Sequence, residues 1–565
     1  MGQKIAGIVI ALFCTMSVSA FGQSGHPNFS ESIQSAAAQI AVQPQPAAPT
    51  GPVRRLSMDD AVTLALEQNL GIRIQRIDPQ IQDVGVAQAR SFWAPSLSSG
   101  FFKNGVTQQS TSAFSGGARN ILNDTYSTSV GVNQALPWGG LYNVAWDNRR
   151  VTTTNLFASF TPQLTSQLDI QYSQPLLRNF SIDQIRQQVQ NSKKSRELSD
   201  IQLQGTITQT LRGVRNAYWD LATSIANLKA QQDSLRLAQQ SLRDNQKRVE
   251  IGTMAPIDIV QAQAEVASNE ERVIVAEATI RSAQDQLRTL VMDPGTPDFW
   301  NITFEPTDAP AFEAHAIDVD AAVRSALDKR SDLRSAKNSI EQSDVNIRYF
   351  RNQIQPDVNA QLRYITSAAG GIALSPVTDI AAVLAGTAPP RAVISDRGFG
   401  RVLGDVFGGT YPNWTVGVQV GYPLGSSTAH ANLARARLQY EQAQTQLRSI
   451  EMVIAAQVRA VARNVQTNQQ RVQTARSSRE LQEKKLEAEE KKLAAGMSSS
   501  FFVFQAQRDL ALARTAEIQA ISDYNKSLVD FEAVQQVPIG GASAGFVTTA
   551  GSGALQAGGS AIIRQ

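Results

Sequence analysis

The sequence is poor in the residue types on which enzymes and disulfide-rich secreted proteins depend. Its 565 residues include one cysteine and three histidines. A single cysteine excludes an intramolecular disulfide. The histidines His26, His315 and His430 are far apart, and no Walker or Rossmann glycine pattern follows a predicted strand. We therefore predict no catalytic residues, no metal site, no cofactor and no enzymatic activity.

Charge of one sign and long apolar runs are also missing. Lys and Arg total 52 and Asp and Glu total 49, and the two signs alternate along the chain, so we predict no nucleic-acid partner. Only 42% of residues are hydrophobic and 7% are aromatic, which favours extended helices over one large core. Beyond the N-terminus, no stretch reaches the roughly 18 apolar residues of a transmembrane helix. If the protein crosses a membrane, it must do so with strands.

The two ends of the chain differ from the rest. A lysine at position 4, an apolar run over 5–18 and small residues up to Ala20 predict a signal peptide over 1–20 and export from the cytoplasm. Cys14 lies inside it without the small preceding residue of a lipidation site. The Pro/Ala/Ser/Gln-rich linker (21–55) and the Gly/Ala/Ser-rich tail (538–565) are predicted to be disordered.

The sequence between these ends repeats itself. Asp59 to Leu66 aligns with Asp320 to Leu327, a shift of 320 − 59 = 261 residues, and Gly252 aligns with Gly496, a shift of 496 − 252 = 244. Each register holds without a gap over dozens of residues, which favours duplication over chance similarity between Ala/Gln-rich helices. We predict a first repeat over 56–300 and a second over 301–537.

Long helices dominate both repeats. Residues 182–251 contain no proline and carry apolar residues at helical spacing, which predicts a helix about 100 Å long at about 1.5 Å per residue. Its counterpart covers 428–495. A return helix follows each glycine, giving helical hairpins over 182–292 (tip at Gly252) and 428–536 (tip at Gly496). Half-length helices over 57–93 and 318–354 would stack end to end on the return helices. Helical units of equal length can line up side by side, which favours a cylinder of helices. The alternative is a solvated coiled coil that acts as a spacer.

Short segments within 96–175 and 357–423 alternate between apolar and polar residues. In the segment from Trp414 to Tyr422, one face is apolar and the other is Thr, Gly and Gln, a pattern typical of strands between lipid and water. An aromatic belt at the membrane is predicted, and its members are Tyr142, Trp146, Tyr172, Tyr364, Trp414 and Tyr422.

The number of strands stays open between four and six per chain. Two alternating runs around Pro137 to Gly140 predict an additional hairpin in the first half. The second half has instead a Gly/Ala/Pro-rich insertion over 367–412, predicted to be a loop on the outer side. So few strands cannot close a wide barrel, and an open edge in lipid would leave backbone groups unpaired. The barrel must therefore be shared between chains.

Over about 56–537 the chain resembles the TolC family of outer-membrane efflux and secretion proteins. The order helix, strands, long helix, glycine and return helix carries the resemblance, together with motifs at mirrored positions: Gln174 to Leu177, Tyr422 to Leu424, Val214 to Trp219, Arg248 to Gly252, and Gln-Ala-Gln at 261–263 and 505–507. The resemblance implies a mainly α protein with a transmembrane β part. In such a homotrimer an outer-membrane β-barrel continues as a periplasmic α-helical barrel.

The same resemblance implies a passive duct that works with a periplasmic adaptor (membrane fusion protein) and an inner-membrane pump, with outer-membrane lipid around its barrel. Family members usually contribute four strands per chain, and the additional hairpin departs from that. The adaptor would meet the hairpin tips, which here are Ile251, Gly252, Thr253, Ala495, Gly496 and Met497.

The entrance between the tips is implied to be a constriction. Asp258 matches a family carboxylate position, whereas Phe502 and Gln505 stand at the corresponding positions of the second half, with Phe501 and Phe504 beside them. We expect a narrower, more apolar and less cation-selective entrance than an all-aspartate ring would give. The alternative is that the three phenylalanines pack between helices.

Two other functions remain open at this stage. A soluble periplasmic spacer or adaptor would use the hairpins without a membrane barrel. A channel for protein secretion would look the same in sequence as one for small-molecule efflux, because a passive duct takes its specificity largely from its pump.

Overall fold

A computed structural model describes residues 52–109, 120–384, 387, 390–425 and 427–536. The predicted signal peptide, the linker up to residue 51 and the tail over 538–565 lie outside the described residues. Residues 53–55, which we assigned to the linker, form part of a strand that pairs in parallel with residues 303–306. Leu56 at the end of this strand is buried, so the last residues of the predicted linker belong to the folded structure.

Each half of the chain supplies short and medium helices, a set of strands and a helical hairpin. The elements of the first half are β1 (Val53–Leu56), α1 (Met58–Gln68), α2 (Leu70–Ser91), β2 (Ser96–Gln109), β3 (Asn120–Ala135), β4 (Leu141–Thr153), β5 (Phe160–Pro175), α3 (Gln184–Glu250) and α4 (Ile257–Val291). Those of the second half are β6 (Thr303–Pro306), α5 (Val319–Lys329), α6 (Ser331–Gln353), β7 (Asp357–Leu374), α7 (Ile380–Leu384), β8 (Val393–Arg397), α8 (Phe399–Phe407), β9 (Pro412–Gly421), α9 (Thr428–Ala494) and α10 (Ser500–Gln535).

Corresponding helices of the two halves start at aligned positions of the repeat and have nearly the same lengths. Helices α3 and α9 are both 67 residues long, and their first residues differ by 428 − 184 = 244. Helices α1 and α5 both have 11 residues, and their starts differ by 319 − 58 = 261. The two shifts in the sequence therefore describe one structural repeat on either side of the strands. None of the described helices combines the length and apolarity that a membrane span requires.

The larger sheet is antiparallel and follows the order β2-β3-β4-β5-β7. Beyond β7, both β8 and β9 pair with the same edge of that strand, β8 near its end and β9 near its beginning. In the described part of the chain the sheet therefore has six strand positions, the last of which is interrupted. The hairpin predicted around Pro137 to Gly140 is that of β3 and β4.

The insertion over 367–412 is not simply a loop, and this corrects our prediction. Residues 367–374 continue β7, and the segment then adds α7, β8 and α8 before it reaches β9. Val402 and Val406 of α8 are fully buried against Ala368, Leu164 and Leu168 of the sheet. The Gly-rich composition concealed an amphipathic helix, because the two valines stand one turn apart on its packed side.

The sheet has one apolar and one polar face. Residues that face each other across an antiparallel pair lie on the same side of the sheet. The register connects Trp414 with Tyr364, Tyr364 with Ile170, and Ile170 with Val144. It likewise connects Thr415 with Arg363, and Arg363 with Gln171. We call these two sides the apolar face and the polar face.

Next to the sheet, four helices lie side by side in the order α2-α3-α6-α9. Farther away, α4 lies against α3, α10 packs between α3 and α9, and the return helices meet the half-length helices end to end. The Asn69 side-chain amide donates to the Leu290 carbonyl oxygen at 2.8 Å, and the Ser331 N–H donates to Gln536 Oε1 at 2.7 Å. The predicted end-to-end stacking is therefore present in both halves.

Apolar cores lie where these helices meet. In the first half, Tyr218 and Leu221 of α3 are fully buried with Leu287 of α4 and with Leu56. In the second half, Ile454 and Val458 of α9 pack with Tyr524 of α10. These two clusters fix the level at which each long helix meets its half-length neighbours.

Candidate channel entrance and membrane-facing sheet

Both hairpins turn through the same backbone cap. Gly252 and Gly496 have φ angles of +78° and +75°. In each case the N–H of the following residue donates, at 2.8 Å, to the carbonyl oxygen five residues before it. Together with the bond from the glycine N–H, this is the Schellman motif that ends a helix. No atom lies within 4 Å of the position that a Cβ would take at either glycine, so only the backbone angle demands glycine.

The residues predicted to contact an adaptor lie at the exposed ends of the hairpins. Ile251 and Met497 are 73% and 75% exposed, and the other four tip residues are exposed as well. Each tip therefore presents one large apolar side chain beside a glycine.

Asp258 is held by the other hairpin. It lies in the first turn of α4, where the helix dipole favours a negative charge. Its Oδ1 accepts a hydrogen bond from the Ser500 hydroxyl at 2.6 Å, and Ser500 is buried at the start of α10. The structure thus links the carboxylate predicted at the constriction to the second tip.

The three phenylalanines of α10 do not share one environment. Phe501 and Phe502 are 51% and 55% exposed and contact each other edge to face, with ring centroids 5.6 Å apart. Phe504 is buried. Packing between helices therefore accounts for Phe504, whereas Phe501 and Phe502 leave an aromatic pair free at the tip.

Gln505 belongs to a charged cluster one turn farther along α10. Its side-chain amide donates to Asp509 Oδ1 at 3.1 Å, and Lys485 Nζ lies 2.8 Å from Asp509 Oδ2. The hydrogen bond from Lys485 lowers the pKa of Asp509 below its ordinary value. Gln505 is exposed, so its amide and the Asp509 carboxylate present polar groups beside the aromatic pair.

A second carboxylate stabilises the second tip only. Glu489 of α9 accepts hydrogen bonds from Lys492 at 2.6 Å and from the Ser498 hydroxyl at 2.9 Å. The hydrogen bonds from Lys492 and then Ser498 lower the pKa of Glu489 below its ordinary value. The first tip has in this place a neutral bond from the Thr253 hydroxyl to the Arg248 carbonyl oxygen.

The residues predicted for the aromatic belt lie on the apolar face of the sheet, with one exception. Tyr142 pairs directly with Tyr172, Tyr364 pairs with Trp414, and Trp146 pairs with Leu168. Tyr422 follows the last residue of β9. The hydroxyls of Tyr142 and Tyr172 donate to glutamine side chains at 2.6 Å. Rings with one hydrogen-bonded end suit a boundary between lipid and water.

The polar face carries paired charges and amides. Arg363 forms a bidentate ion pair with Asp169 across β5 and β7, with N–O distances of 2.5 and 3.1 Å. The Gln361 amide donates to Gln419 at 2.9 Å. This face is suited to water rather than lipid.

A sheet with an apolar and a polar face, joined to two long helical hairpins, is the arrangement expected of an outer-membrane channel. The comparisons with known proteins lead to the same class. The model of the outer membrane efflux protein family matches residues 61–291 and 322–534. The chain therefore belongs to the outer membrane efflux protein family, and its location is the outer membrane. This family is one of channels and not a class of enzymes.

Solved structures of such channels have the same fold. Vibrio cholerae VceC has a TM-score of 0.58 at 15% sequence identity, covering 85% of this chain and 96% of its own. The open state of Neisseria gonorrhoeae MtrE has a TM-score of 0.57 at 16% sequence identity, covering 86% of this chain and 89% of its own. Campylobacter jejuni CmeC has a TM-score of 0.56 at 14% sequence identity, covering 85% of each chain. The curated protein sequences include no significant match.

Three features of the site were missed in the sequence. Ser500, the partner of Asp258, follows two other serines and carries no signal of its own. Helix α8 was hidden by the glycines of its segment. An exposed apolar row on α2 could have been found from its spacing, because Leu70, Ile74, Ile77, Ile81 and Val84 follow one another at intervals of four and three residues.

Proposed function

We propose that three copies of this chain form a passive exit duct of an efflux or type I secretion system. The three sheets close into one outer-membrane β-barrel, and the hairpins form one α-helical barrel that extends into the periplasm. A periplasmic adaptor and an inner-membrane pump supply substrate and energy. The observation that carries this proposal is a pair of free edges on the chain, one in the sheet and one among the helices.

The sheet is open at both sides. Among the described residues, β2 pairs only with β3, and β9 pairs only with β7. Unpaired backbone groups cost several kcal/mol each in lipid. Pairing β9 of one copy with β2 of the next satisfies both edges and keeps the apolar faces on one side.

The helical layer is open in the same way. Leu70, Ile74, Ile77, Ile81 and Val84, the α2 seam, are 43–69% exposed. Ile72, on the opposite side of α2, is fully buried, and α3 is the neighbouring long helix. A helix with apolar rows on two opposite sides is built for two neighbours, and only one of them belongs to the same chain.

The internal repeat indicates which surface covers the α2 seam. Within the chain, α6 packs against α3, and Lys194 of α3 contacts Glu341 of α6 at 2.5 Å. The residue 244 positions after Lys194 is Leu438, which is 66% exposed on α9. Met452, four turns farther along the same side, is 69% exposed. We infer that α9 of one copy receives the α2 seam of the next, as α3 receives α6.

At the far end, we propose that Asp258, Phe501, Phe502 and Gln505 of the three chains surround the entrance. The exposed tips of Ile251 to Thr253 and Ala495 to Met497 meet the adaptor. The exposed Phe501–Phe502 pair makes the entrance apolar, and Phe502 and Gln505 leave the second half without a carboxylate at the positions that correspond to Asp258. This combination favours low cation selectivity over the strong selectivity of a free carboxylate ring.

The family and the fold favour this duct over a soluble periplasmic spacer, and single-channel conductance tests it directly. The detergent-purified oligomer is crosslinked to count subunits and then inserted into a planar bilayer. We expect a trimer with stable conductance steps, and Phe502→Ala should raise the conductance or leak at the entrance. Phe180→Ala is a matched control, because Phe180 is equally exposed (54%) but lies between β5 and α3.

Either of two results would contradict parts of the proposal. A monomer without conductance that high salt releases from membranes would favour the spacer. Equal conductance and leak in Phe502→Ala, Phe180→Ala and the unmodified protein would remove Phe502 from the constriction while leaving the duct intact.

A further inference from the structure

We propose that α8 (Phe399–Phe407) is an interfacial membrane helix, which lies on the outside of the barrel and inserts its phenylalanines among the outer-leaflet lipids. The inference rests on the proposed function for the statement that the apolar face of the sheet faces lipid. It goes beyond that function because the duct needs no helix on its outer wall.

The contacts of α8 place it on the apolar face. The Thr366 hydroxyl donates to the Val406 carbonyl oxygen at 3.0 Å. The ring of Phe407 contacts that of Trp146, with centroids 5.9 Å apart. Thr366 pairs with Leu168 and Leu168 with Trp146, so both contacts lie on the side of the sheet that carries Tyr364 and Trp414.

The height of α8 along the sheet matches the upper boundary of a membrane. Thr366 is nine residues beyond Asp357, the first residue of β7 at the end nearest the helices. Nine residues correspond to about 31 Å along the strand and about 23 Å in height at a tilt of about 40°. The apolar band of outer-membrane barrels is about 25 Å tall. If the band begins at the lower end of β7, α8 lies where it ends.

Helix α8 has one side buried against the sheet and one exposed side with aromatic rings and a cation, as an interfacial membrane helix does. Val402 and Val406 are buried against the sheet, and the ion pair of Arg397 with Asp405 connects the helix to β8. Phe399 and Phe407 remain 40% and 64% exposed. Arg401 is exposed as well, so the helix offers a cation beside its rings. Exposed aromatic rings with a neighbouring arginine suit the boundary between acyl chains and headgroups.

Continuity with the rest of the apolar face identifies lipid as the occupant. The exposed side chains of Trp414, Val416, Val418 and Val420 on β9 are 62–70% exposed and lie on this same face. Phe407 extends this surface upward through Trp146. Because this apolar surface is continuous, the acyl chains that cover β9 also contact Phe407 at the end of the sheet farthest from the helices.

Site-directed spin labelling tests this placement in the full chain. Single cysteines replace Phe407, Gly404, Val418 or Thr415 in a Cys14→Ser background, and the labelled trimers are reconstituted into vesicles of bacterial phospholipid. Power saturation then compares collisions of each label with oxygen, which partitions into lipid, and with a water-soluble nickel chelate. Val418 is the lipid reference on the apolar face, and Thr415 is the aqueous reference on the polar face.

We expect an oxygen-to-nickel accessibility ratio at position 407 several times that at 415 and close to that at 418. Gly404→Cys provides a second label on α8 that removes no packing, since no atom lies within 4 Å of its Cβ position. Aqueous values at both 404 and 407 with a lipid value at 418 would overturn the inference and leave the duct standing. An aqueous value at 418 would instead contradict the proposed membrane face itself. A label at 407 that lowers channel conductance would place α8 in the lumen and overturn the inference.

Discussion

Helices α2 and α6 occupy equivalent places in the two repeats, yet four of the five positions in their equivalent seams are apolar in α2 and polar in α6. The α2 seam is wholly apolar. The residues 261 positions later are Ser331, Ser335, Asn338, Gln342 and Val345. The α6 seam is already covered in the chain, where the Asn338 amide donates to Glu197 of α3 at 3.0 Å and Asn191 contacts Asn346 at 3.2 Å.

The difference in polarity between the two seams follows from the free-energy cost of forming each interface. Helices α3 and α6 are joined by one chain, so hydrogen bonds with a small net gain are sufficient to align them. Contact between separate chains must in addition offset the loss of translational and rotational freedom. Apolar area provides that offset at about 25 cal/mol per Å². In the proposed trimer, the duplicated helix has kept nearly the same length, 22 residues in α2 and 23 in α6, and has changed its seam according to whether its neighbour is covalently attached.

Ile77→Asn gives α2 the residue of α6 and should have the largest effect. Replacing a buried aliphatic side chain by a polar one costs about 3 kcal/mol per interface, repeated three times in a trimer. We expect the trimer to dissociate at concentrations at least a hundredfold higher than the unmodified protein, as measured by analytical ultracentrifugation in detergent. Arg76→Asn is the matched control, because Arg76 is exposed but not part of the seam. Equal trimer stability in both variants would show that the seam is not an interface.

A second comparison concerns the buried tyrosines of the two cores. The Tyr218 hydroxyl donates to the Asp308 carboxylate at 2.9 Å and lies 3.1 Å from the Leu56 carbonyl oxygen. The Tyr524 hydroxyl donates to the Glu313 carbonyl oxygen at 2.7 Å. We expect Tyr218→Phe to lower the free energy of unfolding by about 2 kcal/mol and Tyr524→Phe by about 1 kcal/mol, because bonds to charged groups are stronger. Denaturant unfolding of both variants measures the difference. A larger loss for Tyr524→Phe would reverse the comparison.

Alkaline pH sharpens the same comparison. Burial raises the pKa of Tyr218 to about 12 from an ordinary value of 10.0. A raised pKa in the folded state means that the stabilisation is complete below pH 10 and is lost as the pH rises toward 12. The free energy of unfolding of the unmodified protein should fall more steeply with pH in that range. In Tyr218→Phe, whose residue 218 cannot ionise, this fall should be less steep.

The smallest expected effect distinguishes the two hairpin tips. The lowered pKa of Glu489 means that its contribution is present above the ordinary carboxyl pKa of 4.5 and is lost as the pH falls below it. After correction for intrinsic rates, amide hydrogen exchange at 497–499 should accelerate in this acidic range, whereas exchange at 253–255 should not. Glu489→Gln should produce part of this acceleration at neutral pH. Equal acceleration at both tips would show that the carboxylate does not stabilise the second turn.

How much of the molecule could be read from its sequence depended on whether the signal was periodic. The long helices, their glycine caps and the alternation in β5, β7 and β9 follow from local rules, since spacing and turn residues determine them. Two features depend on contacts between residues far apart in the chain. The hydrogen bond from Ser500 to Asp258 joins residues 242 positions apart, and the seating of α8 on Ala368 depends on how β7 is paired. Neither leaves a periodic trace.

The predicted entrance residues illustrate the same limit. An aromatic run at 501–504 is visible in the sequence, but its division into an exposed pair and a buried Phe504 is set by the rotation of α10 against α9. A shift of one residue in that helix would exchange the buried ring for another.

The equal lengths of the two hairpins have a consequence for anyone who wishes to rebuild this protein for a cell envelope of different thickness. The strands of the two halves differ in number and length, while α3 and α9 have 67 residues each and α4 and α10 have 35 and 36. These matching lengths bring the two tips side by side, where Ser500 donates a hydrogen bond to Asp258. A taller version would need the same number of added residues in both arms of both hairpins, in steps that restore the helical phase. The loops and strands can differ between the two halves, whereas the lengths of the four hairpin helices set the distance from the sheet to the tips.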